Sequence, residues 1–173
     1  MSDSLKRYIF FVCSLFILSV LLSIYVVQET EVSGNSMEPE LKEGSRVLVN
    51  KMVYDFYEPQ RFDIIVFRYL YKDNEYYIKR IIGLPGETVQ IIDGWVYING
   101  EKLEEPFSSD PILEAKRAAK PIVLGEDEYF VLGDNRNLSS DSREIDVGNV
   151  KKVQILGQAF LRLWPIKRIG AKQ

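Results

Sequence analysis

The sequence predicts a mainly β domain carried behind one N-terminal transmembrane helix. Three observations predict it: an uninterrupted apolar run near the start, short β-branched and aromatic segments after it, and turn residues separating those segments. The run is Tyr8 to Val27, 20 residues without a charge. At 1.5 Å per residue such a helix reaches about 30 Å, the thickness of a bilayer's hydrocarbon core. A cleavable secretory signal fits less well, because its apolar region is shorter and ends in a small-x-small site. The first alanine in this chain is Ala115. A buried helix of a soluble domain would carry a polar stripe, and Ser14, Ser19 and Ser23 are too weak to make one.

Lys6 and Arg7 precede the run, whereas Glu29 and Glu31 follow it. Basic residues stay on the cytoplasmic side, so residues 1–7 form a cytoplasmic tail, 8–27 the anchor and 28–173 an extracytoplasmic domain. Met37 and its apolar neighbours are candidates to touch the lipid interface.

Behind the anchor, strands are expected at Ser45–Val53, Asp63–Tyr69, Tyr76–Ile82, Thr88–Ile92, Trp95–Ile98, Glu128–Leu132 and Val153–Leu163. Asn99-Gly100 marks a hairpin, since both residues accept positive φ. Residues Glu101–Glu126 are rich in proline and charge; they read as a mobile insertion with a short helix at Leu113–Ala119. The inserted hairpin and loop region as a whole spans roughly 88–126.

Composition limits the chemistry. The 173 residues are 46% apolar and 27% charged, enough for one domain with a real core plus an appendage. The net charge is −3, and the part after the anchor is acidic too, which argues against a nucleic-acid partner. Cys13 is the only cysteine and there is no histidine, so no intramolecular disulfide and no Cys/His metal cluster can form. A Ser-His-Asp triad is equally impossible. A nucleophilic serine in this chain needs another base, and lysine is the natural candidate.

Ser36 lies in Ser33-Gly34-Asn35-Ser36-Met37-Glu38-Pro39, just outside the anchor. Gly34 permits a tight backbone path that can aim an amide N–H at a bound carbonyl oxygen. By itself the segment is also an ordinary polar loop. A lysine base must be neutral near pH 7, well below its unperturbed pKa of about 10.4, and burial among apolar groups achieves this. Two lysines have suitable neighbours: Lys79, which strand alternation groups with Tyr77 and Ile81, and Lys51, which it groups with Val47, Val49 and Val53. Periodicity does not separate them. A third polar cluster, Gly133 to Arg143, follows an apolar strand and holds hydroxyls, carboxylates and guanidiniums suited to orienting a lysine and stiffening a loop.

Taken together the blocks resemble the boxes of the type I signal peptidases, the bacterial Ser/Lys endopeptidases that remove signal peptides from exported proteins. The blocks are the single anchor, SGNSMEP, IKRIIGLPGE at Ile78–Glu87 and GDNRNLSSDSR at Gly133–Arg143, in that order. The resemblance implies a signal-peptidase-type antiparallel β domain, Ser36 as nucleophile and Lys79 rather than Lys51 as general base. It also implies Ser139 as the serine that hydrogen-bonds the lysine, Asp141 and Arg143 as a structural ion pair, and an oxyanion hole of the Ser36 backbone N–H with help near Gly34. The glycine at 34 and the single anchor look like the compact Gram-positive type. Two positions depart from the family pattern: Glu40 stands where threonine is usual, and Phe62 where glycine is usual.

What the resemblance implies for function is cleavage of exported preproteins after small residues at −3 and −1, through an acyl-enzyme, without metal or cofactor. Membrane lipid and the secretion translocon would be its neighbours. Two rival readings are a self-cleaving regulator of the related Ser/Lys class and an anchored binding protein with a decayed site. The first would carry a soluble or DNA-binding N-terminus, and the second would be expected to have lost Ser36 or Lys79.

Overall fold

The computed structural model describes residues 3–107, 110–164 and 167–168. Helix α1 runs from Asp3 to Val26; its side chains are exposed from Asp3 to Leu21, and Val26 is half-buried. Its Asp3–Leu21 stretch has a mean hydropathy of 1.7 with none of it buried, long and apolar enough to cross a membrane. The helix begins five residues before the apolar run, because backbone hydrogen bonding continues through the polar turn Asp3–Arg7, where Lys6 pairs with Asp3. It passes directly into strand β1, Val27–Glu31, with no linker.

The remaining elements in chain order are β2 (Arg46–Asn50), α2 (Val53–Phe56), β3 (Ile64–Arg68), β4 (Tyr76–Gly83), β5 (Thr88–Ile92), β6 (Trp95–Ile98), β7 (Glu101–Lys102), β8 (Ile122–Val123), β9 (Glu128–Leu132), β10 (Val150–Lys151), β11 (Ile155–Trp164) and β12 (Lys167–Arg168). All seven expected strands form, with ends shifted by a few residues. Strand β1 was not foreseen, since Val-Gln-Glu-Thr-Glu has weak β propensity; pairing along its whole length with β2 holds it.

Every pairing is antiparallel. The larger sheet has the order β1-β2-β11-β3-β4-β9-β10, with β12 on β11; the smaller has the order β7-β6-β5-β8. In β3, Ile64 and Val66 enter one buried cluster and Ile65 and Phe67 another, so a continuous apolar run is buried on both faces. A third cluster, containing Ile82, Val89, Val96, Phe130 and Leu132, joins the two sheets.

Met37 lies in the first of these clusters at 1% exposure, among Val32, Leu41 and Val49, and therefore does not reach lipid. Burying such a side chain contributes roughly 1.5–3 kcal/mol, enough to fasten the loop that carries Ser36. Asn99-Gly100 makes the expected hairpin between β6 and β7, with φ of 52° and 86°. In its described residues the segment 101–126 is more ordered than its composition suggests. It supplies β7 and β8 and buries Ile112, Ala118 and Leu124. The expected helix at Leu113–Ala119 is reduced to one 3₁₀ turn, Lys116–Ala119.

Candidate active site

The chain after β1 brings Ser36 beside the middle of β4. Gly34 takes φ +82°, a conformation that side chains resist, and turns the backbone toward the sheet. Met37 anchors the next residue. Strand β4 presents Lys79 to this loop and Arg80 to the opposite side, as alternation requires.

Lys79 Nζ donates a hydrogen bond to Ser36 Oγ at 2.8 Å and another to the carbonyl of Ile78 at 3.0 Å. Lys79 is only 4% exposed. Burial pulls its pKa down to about 8, opposed by the carboxylates of Asp141 and Asp134. The ammonium also lies 5.2 Å from the centre of the Tyr77 ring. Lys51, the rival from the sequence, stands at the far end of the β1–β2 pair. Its N–H donates to Val26 at the base of the anchor, whereas the Ser36 loop leaves from the Glu31–Arg46 end. Five residues of strand, roughly 15 Å, separate the two ends.

The third cluster from the sequence forms the floor of the site. Asn135 donates its backbone N–H to the Ser36 carbonyl at 3.0 Å and its side-chain amide to the Asn35 carbonyl at 3.3 Å. Gly133 packs so closely that a Cβ would collide with the Ser36 carbonyl oxygen and Ser139 Oγ. Asp141 is completely buried. Its carboxylate accepts from Arg143 Nε at 2.8 Å and Nη2 at 2.9 Å, and from the Gly133 N–H at 3.2 Å. Such a two-pronged pair rigidifies a loop more effectively than a single contact.

Ser139 differs from expectation. Its hydroxyl is buried and has no hydrogen-bond partner among the described residues, and Lys79 instead uses the carbonyl of its own neighbour Ile78. Sequence reasoning also missed two residues. Arg80 and Asp134 form a buried bidentate pair at 2.7 and 2.6 Å that joins β4 to the floor loop. Their sequence signal was the Lys-Arg adjacency on β4, which must put a guanidinium behind the lysine.

A cleft of about 250 Å³ runs over the dyad, walled by residues 30–37 on one side and Tyr76–Lys79 on the other. Strand β9 pairs with β4 only from Arg80 onward, so the Tyr76–Lys79 edge faces this cleft without a strand partner on that side among the described residues. Nor does any described residue accept from the Ser36 backbone N–H. The arrangement combines a hydroxyl, a buried amine of lowered basicity and a free amide donor at one point.

Phe62 has φ +74°, in the left-handed region that favours glycine. Its ring is retained by an edge-on contact with Phe107 at 5.4 Å, and its carbonyl accepts from Arg80. Glu40 lends its carbonyl to Arg162.

Comparison with known proteins identifies the family. The family model described as signal peptidase, peptidase S26, matches residues 5–164. A probable signal peptidase I-2 of Synechocystis is 38% identical over 89% of this chain and 71% of its own length. Signal peptidase I of Leptolyngbya laminosa is 41% identical over 88% and 78%, and that of Bacillus amyloliquefaciens 38% identical over 88% and 84%. Among solved structures, a signal peptidase I from Enterococcus faecalis V583 is 38% identical, covering 59% of this chain and 97% of that one with a TM-score of 0.48. With a match across nearly its whole length, the chain belongs to the signal peptidase family, peptidase S26.

Proposed function

We propose that this protein is a membrane-anchored serine endopeptidase that removes N-terminal signal peptides from exported preproteins, with Ser36 as nucleophile and Lys79 as general base. The observation that carries the reading is the 2.8 Å contact between Lys79 Nζ and Ser36 Oγ in a histidine-free chain, with the lysine buried. Neutral Lys79 accepts the Ser36 hydroxyl proton as Oγ bonds to the scissile carbonyl carbon. The carbonyl oxygen becomes an oxyanion, held by the Ser36 N–H with the backbone around Gly34. Protonated Lys79 then gives its proton to the departing amine, leaving an acyl-enzyme. Water, deprotonated by the same lysine, attacks the ester and releases the signal peptide.

An extended substrate adds to the unpartnered Tyr76–Lys79 edge by main-chain hydrogen bonds, which positions it whatever its sequence. Small residues at −3 and −1 are selected because the cleft holds only about 250 Å³ and its wall includes Tyr77, Ile78 and Met37. The anchor runs straight into β1, so the site is held close to the membrane, beside lipid and near the translocon where cleavage sites emerge. Lys6 and Arg7 set the N-terminus in the cytoplasm and the domain outside. Asp141 and Arg143 serve as the structural ion pair of the floor.

The test is preprotein cleavage by the full chain in detergent. Ser36→Ala and Lys79→Ala should each abolish it while the fold is retained, and Lys79→Arg should also be inactive because guanidinium cannot act as a base. Turnover by any of the three would refute the assignment.

A further inference from the structure

The floor loop is gripped from below by a segment that the catalytic scheme does not use. After β7 the chain passes through Leu103 to Phe107, tied at its start by the Leu103 N–H to the Val96 carbonyl at 2.9 Å. Glu105 is buried against Arg136, a bidentate pair with Nη1 at 2.8 Å and side chains 7% and 3% exposed. Phe107 lays its ring over the Arg80 guanidinium, 3.7 Å from Cζ to the ring centre, and meets Phe62 edge-on. Farther along, Asn137 accepts from the Leu113 N–H at 2.9 Å and donates to the Pro111 carbonyl at 3.2 Å.

The four residues Gly133 to Arg136 alternate between two duties. Gly133 and Asn135 meet the nucleophile loop at Ser36 and Asn35. Asp134 and Arg136 face the segment 103–107, the strap: Asp134 holds Arg80, which Phe107 covers, and Arg136 holds Glu105. Arg80 is moreover the chain neighbour of Lys79. Both members of the Ser36–Lys79 pair are thus connected to the strap through one intermediate residue or pair.

Resting on the Ser/Lys reading above, we propose that Glu105 and Phe107 are positioning residues of the active site, fixing the floor loop and Arg80 so that Ser36 and Lys79 keep their contact in a dry site. The role is distinct from core packing. The strap neutralises one buried guanidinium and covers another, and both guanidiniums are bonded to the loop that touches Ser36. Loosening it lets the loop shift and admits water to Lys79.

The test uses the full chain in detergent and a preprotein with alanine at −3 and −1. Phe107→Leu keeps apolar bulk without the ring, Glu105→Gln keeps shape without charge, and Phe107→Tyr keeps the ring. The first two should lower kcat about tenfold or more with KM within about twofold, as expected for misplacement rather than lost binding. They should also move the acid limb of the rate profile upward by about half a pH unit or more, as Lys79 regains water. Phe107→Tyr should retain parent kcat and parent pH limb. Parent-like kcat and pH limb in both Phe107→Leu and Glu105→Gln, a loss confined to KM, or an equal loss in Phe107→Tyr would overturn the proposal. If Phe107→Leu does not fold, Glu105→Gln decides alone. Ser36→Ala and Lys79→Ala run alongside: turnover in either removes the dyad and the proposal with it, whereas inactive controls with parent-like strap variants sink the proposal only.

Discussion

Ser36 is held by its carbonyl as well as reached at its hydroxyl: Asn135 donates its N–H to the Ser36 carbonyl at 3.0 Å, while Oγ lies 2.8 Å from Lys79. The main-chain bond fixes where Ser36 sits, so the side-chain contact does not depend on a flexible loop. On the proposed Ser/Lys reading, preorganisation of this kind lets one amine take over the work of a triad.

The pH dependence follows from the burial of Lys79. With its pKa lowered to about 8, the neutral form, which the proposed mechanism requires, is a minority at pH 7 and predominates above pH 8. The rate of preprotein cleavage should therefore rise with pH, with an acid limb near 8. A profile flat from pH 6 to 9 would exclude Lys79 as the base.

The same burial lowers stability. A folded-state pKa below the unfolded value means that the unfolded chain binds the proton more tightly, so stability rises as pH increases from about 8 toward 10.5. Below pH 8 the cost is fully present, about 3 kcal/mol for a shift of this size. Lys79→Met should accordingly be inactive yet stabler than the parent by up to about 3 kcal/mol at pH 7, with the gain shrinking above pH 8. Chemical denaturation of the full chain in micelles at pH 7 and pH 10 measures both.

Gly133 tests the close approach of floor and nucleophile. An alanine there would press its Cβ into the Ser36 carbonyl oxygen, a backbone atom that cannot step aside. Gly133→Ala should cut kcat about 100-fold or more by displacing Ser36. Near-parent turnover would show that the loop has slack the structure does not suggest.

Ser139 carries an unpartnered buried hydroxyl. Removing such a group forfeits no hydrogen bond and relieves a desolvation cost of about 1 kcal/mol. Ser139→Ala should keep or slightly raise the melting temperature of the substrate-free protein. A drop equivalent to about 1 kcal/mol or more would mean that the hydroxyl is bonded in solution.

Asp134→Asn would leave the Arg80 guanidinium buried with its charge uncompensated. Breaking a buried pair from one side costs about 3–5 kcal/mol, far more than the loss of an exposed bridge such as Arg68–Asp73. Thermal unfolding of the variant beside Asp73→Asn should show the contrast.

The sequence alone determined the apolar helix, the seven main strands and the Asn99-Gly100 hairpin, and it ruled out histidine chemistry. Each rests on short-range information: run length, alternation, turn residues, and the absence of histidine. Resemblance added the pairing of Ser36 with Lys79, which alternation could not choose over Lys51. Only tertiary structure decided the rest. Strand β1 exists because β2 pairs with it, and Met37 is a core residue rather than a lipid contact because Val32, Leu41 and Val49 close around it. The orphan hydroxyl of Ser139, the Arg80–Asp134 pair and the Glu105–Phe107 strap join residues far apart in the chain. Electrostatic and packing partners across such separations leave no periodic trace, because what selects them is distance in the folded molecule.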